Sequence, residues 1–345
     1  MKPLQFFSLL FFIGFLFVQG CAVDPAVEPT KQIEFTVPSG WPQPQYKFEN
    51  NEVTQAGFDL GKKLFFDRRL SRDNSVSCGS CHQPFAAFAQ PDHDFSHGID
   101  NRLGERNSPG LFNLNWHTGF FWDGGINHIE LQPINPIQNP VEMDEKLDNV
   151  ISKLKNDDTY KAMFKSAFGD ETINSQRMLK AMAQFMGMLV SSNSKYDKYV
   201  RGETGGSMTN VELKGLNIFR ENCASCHTEP MFSDFSYRNN GLMPSSRNDS
   251  GRGRITRAPE DIYKFKVPSL RNLKYTAPYM HDGRIKNLEA VLEYYATGIH
   301  HSPTLDPSLQ NGIQLNPQDR SALIAFLNTL NDEEFVRDAR FKEEL

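Results

Sequence analysis

The sequence predicts an all-α chain made of two related halves with long loops. Three observations carry that prediction. The first is an internal repeat, in which Pro109–Ile126 aligns without a gap on Pro268–Ile285. Pro109, Leu111, Asn113, Leu114, Asp123, Gly124 and Ile126 recur there as Pro268, Leu270, Asn272, Leu273, Asp282, Gly283 and Ile285. The second is a Cys-x-x-Cys-His run in each half, Cys78-Gly-Ser-Cys81-His82 and Cys223-Ala-Ser-Cys226-His227. The third is apolar residues at helical spacing, separated by stretches rich in Gly and Pro.

Taken in order, residues 1–20 read as an export signal. Lys2 gives a thin positive start, and the apolar run Phe6–Val18 is shorter than the ~20 residues of a membrane span. Gly20-Cys21 ends the run as a lipoprotein cleavage site does, which makes Cys21 a candidate for lipidation, although Gln19 is not the usual residue there. Residues 21–50 carry Pro25, Pro29, Pro38, Pro42 and Pro44 and read as an extended tether. A first domain is expected over 51–200 and a second over 201–345, each opening on a helix, Gly57–Phe66 and Val211–Glu221. Gly61-Lys-Lys-Leu-Phe65 resembles Gly215-Leu-Asn-Ile-Phe219 within those helices. A broken helical stretch is expected at Asp144–Phe168 and a helix at Ser175–Ser191. Amphipathic helices are expected at Leu288–Thr297 and Asp319–Leu330, the last capped by Asn316 with Pro317 in the first turn.

Composition excludes little, but it does exclude a nucleic-acid partner. Net charge is -5, with 39% hydrophobic and 23% charged residues, and no basic face is indicated. The five cysteines decide more. Apart from Cys21 they form the two Cys-x-x-Cys pairs, so none is left to link distant segments.

A Cys-x-x-Cys-His run is the attachment signature of a c-type haem. Two thiols add across the two vinyl groups of one porphyrin edge, and the next residue brings an imidazole to the iron. A zinc site could use two Cys pairs, but these stand far apart in sequence and each carries an adjacent His. A thioredoxin-like motif expects a βαβ setting, whereas each pair here follows a helix-like stretch. Two disulfides would leave the repeated histidine unexplained.

At this point the chain resembles the bacterial di-haem cytochrome c peroxidases, including their MauG-type branch, over about residues 50–335. The resemblance rests on Leu60–Asp67, the two haem motifs, Arg106–Pro109, Phe121–Gly124, Pro140–Met143, Pro268–Asn272 and Ala277–Gly283. It implies two cytochrome c-like domains related by duplication, each with one covalent haem c. It also implies His82 as proximal ligand of the N-terminal, peroxide-binding haem and His227 as ligand of the C-terminal, electron-transfer haem. Glu142 matches the distal acid-base residue, Gln132 a distal glutamine, Pro136 a distal-pocket proline of the MauG branch, and Trp122 the tryptophan between the haems. Asn107, Thr276 and Pro278 match an inter-domain calcium site, the last two through backbone carbonyls. In ordinary members a methionine ligates the second haem, and its position falls here on Tyr295, with Tyr294 as the register alternative.

The residues carry some of this by themselves. Heterolysis of a peroxide moves a proton from one oxygen to the other, and a carboxylate in a dry pocket can accept and return it. Met178, Met182 and Met186 fall on one helical stripe and read as core. Met231, Met243 and Met280 stay open as ligands of the second haem. His97 lies in the loop where many members carry a displaceable histidine, but a gapless alignment puts Ile99 there. His93, His117, His128, His300 and His301 read as polar surface groups.

The expected function is reduction of hydrogen peroxide to water, with electrons from an external donor such as cytochrome c or a cupredoxin passing through the second haem. The alternatives are a MauG-like oxidase that uses peroxide to oxidise a protein residue, and a non-enzymatic di-haem electron carrier. The distal Glu142 and Gln132 argue against the carrier. The expected location is the periplasm, with the membrane reached only through a lipid anchor. A homodimer stays open.

Overall fold

Two helix crossings carry the architecture, and a glycine stands at the heart of each. The protein is described here by a computed structural model over residues 31–343. The expected signal and the candidate lipidation site Cys21 lie outside the described residues. In chain order the helices are α1 (Gln55–Phe66), α2 (Cys78–Cys81), α3 (Ile134–Gln138), α4 (Leu147–Lys155), α5 (Asp158–Phe168) and α6 (Ser175–Gly187). They continue with α7 (Lys195–Arg201), α8 (Asn210–Asn222), α9 (Gly253–Thr256), α10 (Leu288–Thr297), α11 (Pro317–Asn328) and α12 (Glu333–Arg337). Two-residue strands β1 (Tyr237–Arg238) and β2 (Phe265–Lys266) pair antiparallel and form the only sheet among the described residues.

The long helices start where their caps allow. The Thr54 side chain accepts from Gly57 N at the start of α1, and Thr209 and Glu212 form a capping box on α8. Asn287 caps α10, and Asn316 caps α11 with Pro317 in its first turn. The break expected within Asp144–Phe168 falls at Asp157, whose carboxylate accepts from Thr159 N and Tyr160 N and so restarts the chain as α5.

α1 crosses α6 and α8 crosses α11 in the same way. A Cβ at Gly61 would stand 2.0 Å from Ala181 O, and one at Gly215 would stand 1.9 Å from Ala322 O. Each backbone pair is too close for any side chain, so glycine is required. Gly61→Ala or Gly215→Ala is expected to cost about 1–3 kcal/mol through forced separation of the helices. A fall in the thermal unfolding midpoint of the holoprotein checks this, and an unchanged midpoint refutes it.

Two cores result. One gathers Phe58, Leu64, Phe65 and Phe185 with Met178, Met182 and Met186, so the methionine stripe of α6 is core. The other gathers Leu216, Phe219, Phe232, Leu323 and Phe326. Two groups of residues pack across the expected division between 200 and 201. Tyr196 of α7 belongs to the second core, because its ring packs edge-on to Phe232. Phe335, Val336 and Phe341 return to the first core, where Phe335 and Phe341 lie 6.0 and 6.5 Å from Phe88.

Residues 31–50 have no helix, as a tether should, but the described part is not free. Trp116 Nε1 donates to Pro42 O at 2.8 Å, and Gln45 N and Tyr46 N both reach Asn115 O. Trp41 packs on Trp116 with its other neighbour the guanidinium of Arg271, 4.7 Å from the ring. Arg271 is fully buried and forks onto Asp197 at 2.8 and 2.7 Å. This segment is therefore a strap lying across both halves. Aromatic and polar groups between its prolines fix it, which a proline count does not reveal.

Candidate functional site

α2 is a single turn, and that turn sets the chemistry. Residues three apart share a helix face, so Cys78 and Cys81 stand together, and His82 N closes the turn on Cys78 O at 2.9 Å. All three line a cavity of about 60 Å³ together with Gln132, Pro136 and Glu142. His82 Nδ1 donates to Phe88 O at 2.7 Å, which leaves Nε2 as the free imidazole nitrogen. Phe88 holds φ 58° to aim that carbonyl. Burial pushes His82 down to about 4, so the ring is neutral. Burial also pushes both thiols up to about 12.

Glu142 is fixed from three directions. Its Oε1 accepts from Asn139 Nδ2 at 2.7 Å, its N–H donates to Asn139 O, and its carbonyl accepts from Ile99 N at 2.7 Å. Desolvation raises the Glu142 carboxyl above its usual range, against the pull of the Asn139 amide, with Glu105 adding a little. Gly98 makes the close approach possible, since a Cβ there would lie 2.2 Å from Val141 O and 2.4 Å from Glu142 O. His97 is turned elsewhere, with Nδ1 on Asn101 Oδ1 at 2.8 Å, while Ser96 and Gly98 line the cavity. Ile99 is fully buried.

The second motif repeats the first. His227 N closes on Cys223 O at 2.9 Å, and His227 Nδ1 faces Phe232 O and Pro268 O, each at 3.1 Å. Phe232 also has positive φ, 54°. Cys223, Cys226 and His227 line a cavity of about 330 Å³ with Tyr295 and Met280. Burial raises Tyr295 and pushes the Cys223 thiol up to about 12. Tyr294 points away, its hydroxyl donating to Asn240 O at 2.8 Å. Of the three open methionines, Met280 lines this cavity with its sulfur 3.4 Å from Asn240 Nδ2, while Met243 is exposed.

The larger cavity also reaches His82 and Gln132, so the two sites share a wall. Trp122 stands in that wall, with Nε1 donating to Asn107 O at 2.8 Å and its carbonyl accepting from Lys266 N at 2.7 Å. Asn107, Thr276 and Pro278 line the same cavity. Asn107 Nδ2 is spent on His93 O, and among the described residues Asn107 Oδ1 and the Thr276 and Pro278 carbonyls accept no hydrogen bond. His117 needs correction as a surface group. It lines this cavity, stacks on Phe120, and receives the Lys266 ammonium at 3.2 Å on Nδ1. Its neighbour Lys266 arrives from the other half of the chain, so no local pattern could signal the pairing. Asn139 had a local signal, an amide three residues before an acid, that sequence reasoning passed over.

The donor set fits two c-type haems. Each half offers two free thiols on one turn and a neutral imidazole whose Nδ1 is already used. Among the described residues no three His, Cys, Asp or Glu side chains converge on a metal.

Residues 55–205 match the family described as di-haem cytochrome c peroxidase, and residues 213–331 match cytochrome c. The chain is 36% identical over 312 residues to the methylamine utilization protein MauG of Methylorubrum extorquens, covering 87% of this chain and 84% of that one. It is 31% identical over 329 residues to cytochrome c551 peroxidase of Nitrosomonas europaea, covering 93% and 89%. The crystal structure of a MauG-like protein associated with microbial copper homeostasis aligns with TM-score 0.81 at 29% identity, covering 90% of this chain and 99% of that chain. With paired thiols, a ready imidazole in each half and these relatives, the chain belongs to the di-haem cytochrome c peroxidase family, its MauG-type members included, and is an oxidoreductase of the cytochrome c peroxidase type.

Proposed function

We propose that the protein is an exported peroxidase that reduces hydrogen peroxide to water in the N-terminal half, using electrons that enter through the C-terminal half. The observation that carries this is Glu142, a desolvated carboxyl in the cavity that holds Cys78, Cys81 and His82. Two haem c groups, when bound, supply the redox chemistry. Cys78, Cys81 and His82 would hold one, and Cys223, Cys226, His227 and Tyr295 the other. Glu142 accepts a proton from one peroxide oxygen and returns it to the other, which is general acid-base catalysis. Asn139 keeps that carboxyl aimed, and Gln132 and Pro136 narrow the space around it. Trp122, held by Asn107 O and by β2, is the aromatic link between the halves. Asn107, Thr276 and Pro278 bind a calcium ion, for which their three unengaged oxygens are suitable donors with water completing the shell.

Repeated hydrogen bonds support the duplication. Trp116 N to Asn113 O recurs as Tyr275 N to Asn272 O, and Phe120 N to Ile126 O recurs as Tyr279 N to Ile285 O. The donor is a small redox protein, cytochrome c or a cupredoxin, and the place is the periplasm, with Cys21 as a lipid anchor. Among the described residues no helix is long and apolar enough to cross a membrane.

A second reading is favoured by Tyr295, a tyrosine that lines the larger cavity together with His227. A phenolate oxygen there would suit a MauG-like oxidase acting on a protein residue.

Attachment is tested directly. Denatured holoprotein should keep two haems per chain through acid-acetone extraction, and replacing Cys78 and Cys81 by Ser should remove one of them together with peroxide turnover. Haem released into the extract, or bound zinc, refutes the assignment.

A further inference from the structure

The contacts between the two halves repeat with their roles exchanged. Asn107 N donates to His281 O at 2.8 Å, and Lys266 N donates to Trp122 O at 2.7 Å. In the gapless register that pairs Pro109 with Pro268, Lys266 stands where Asn107 stands, and Trp122 where His281 stands. The same register pairs His117 with Thr276 and Gly119 with Pro278. His117 N reaches Leu114 O as Thr276 N reaches Leu273 O, so the backbone follows the pairing. The calcium set Asn107, Thr276 and Pro278 therefore has a counterpart in Lys266, His117 and Gly119.

The counterpart is already filled, by the chain itself. Lys266 Nζ donates to Gly119 O at 2.8 Å and meets His117 Nδ1 at 3.2 Å. Gly119 O is the partner, in this register, of the Pro278 carbonyl. We propose that the Lys266 ammonium is a built-in cation that stands in for a metal ion at the second of two related seats. The inference rests on the calcium reading above and adds why one ion, not two, belongs in each chain.

The ammonium donates to one acceptor of the class that a hard cation takes as ligand, the Gly119 carbonyl, and its second contact is the His117 imidazole nitrogen. It differs in needing no ion from solution. Burial pushes Lys266 down to about 7, and Asp123 opposes that at longer range. Below that value the amine is a cation held in this cavity, which suits the carboxylates that a bound haem carries. Losing it would stabilise oxidised iron nearby and lower the midpoint potential.

The test counts calcium per chain in holoprotein equilibrated with the ion, and measures both haem potentials. Wild type should hold one calcium and Asn107→Ala none. Lys266→Asn, which recreates the side chain of the first seat, should hold one more than wild type. Lys266→Met should keep the wild-type count and show a lowered potential, whereas Lys266→Arg should keep the wild-type potential. In Lys266→Asn the potential should return towards wild type only when calcium is added. No added ion in Lys266→Asn, or unchanged potentials in Lys266→Met, overturns the inference. Absence of calcium from both wild type and Asn107→Ala would overturn the calcium reading instead, and the potential of Lys266→Met would still decide the role of the lysine.

Discussion

Replacing Glu142 by Gln is expected to lower peroxide turnover roughly 10²–10⁴-fold, the usual worth of a positioned acid-base group. The substitution keeps the size of the side chain and its contact with Asn139, and it removes the transferable proton. Haem content should stay at two. The pH dependence adds a second check. Desolvation raises the Glu142 carboxyl, so its proton-accepting form predominates only above the ordinary carboxylate range. Wild-type turnover should therefore fall as pH drops through that raised value, and the acid limb should vanish in the variant. Unaltered turnover and an unaltered acid limb would make Glu142 a bystander.

Replacing Tyr295 by Met should raise the potential of the second haem by a few tenths of a volt, within the ~0.8 V range that axial ligands set. Thioether with imidazole favours reduced iron, whereas an oxygen anion favours higher oxidation states. The fully oxidised wild type should react with peroxide without prior reduction, and the variant should need reduction first. Redox titration and stopped-flow mixing read the two effects separately. A thioether charge-transfer band in the wild-type ferric spectrum would sink the Tyr295 assignment. Met280, in the same cavity, would then be the ligand to test.

Local chemistry was legible in the sequence, and long-range packing was not. Cys78, Cys81 and His82 declare themselves because one turn must carry them all. The cap of α11 follows from Asn316 and Pro317, which act within three residues, whereas the Asn287 cap of α10 was seen only in the structure. The return of Phe335 and Phe341 to the first core has no local signal, because an apolar residue near a terminus does not say which core it joins. His117 read as a surface group because the lysine that meets it comes from the other half. Glu142 was singled out through the family resemblance, but the hold on its backbone was not: Ile99 N reaches Glu142 O beside Gly98, whose missing side chain is seen to matter only once the 96–104 loop is folded against Val141 and Glu142.

Ile33 N donates to Val53 O, and Gln32 bridges to Thr54, so the chain is clamped to the folded body from about residue 32 onward. If Cys21 carries a lipid, about ten residues separate it from that clamp, and no chain of that length spans more than about 40 Å. The enzyme would patrol a thin layer beside the bilayer instead of the whole compartment. Peroxide, small and freely diffusing, would reach it from anywhere. A protein donor would have to enter that layer, so its rate of encounter would depend on how closely it too keeps to the membrane.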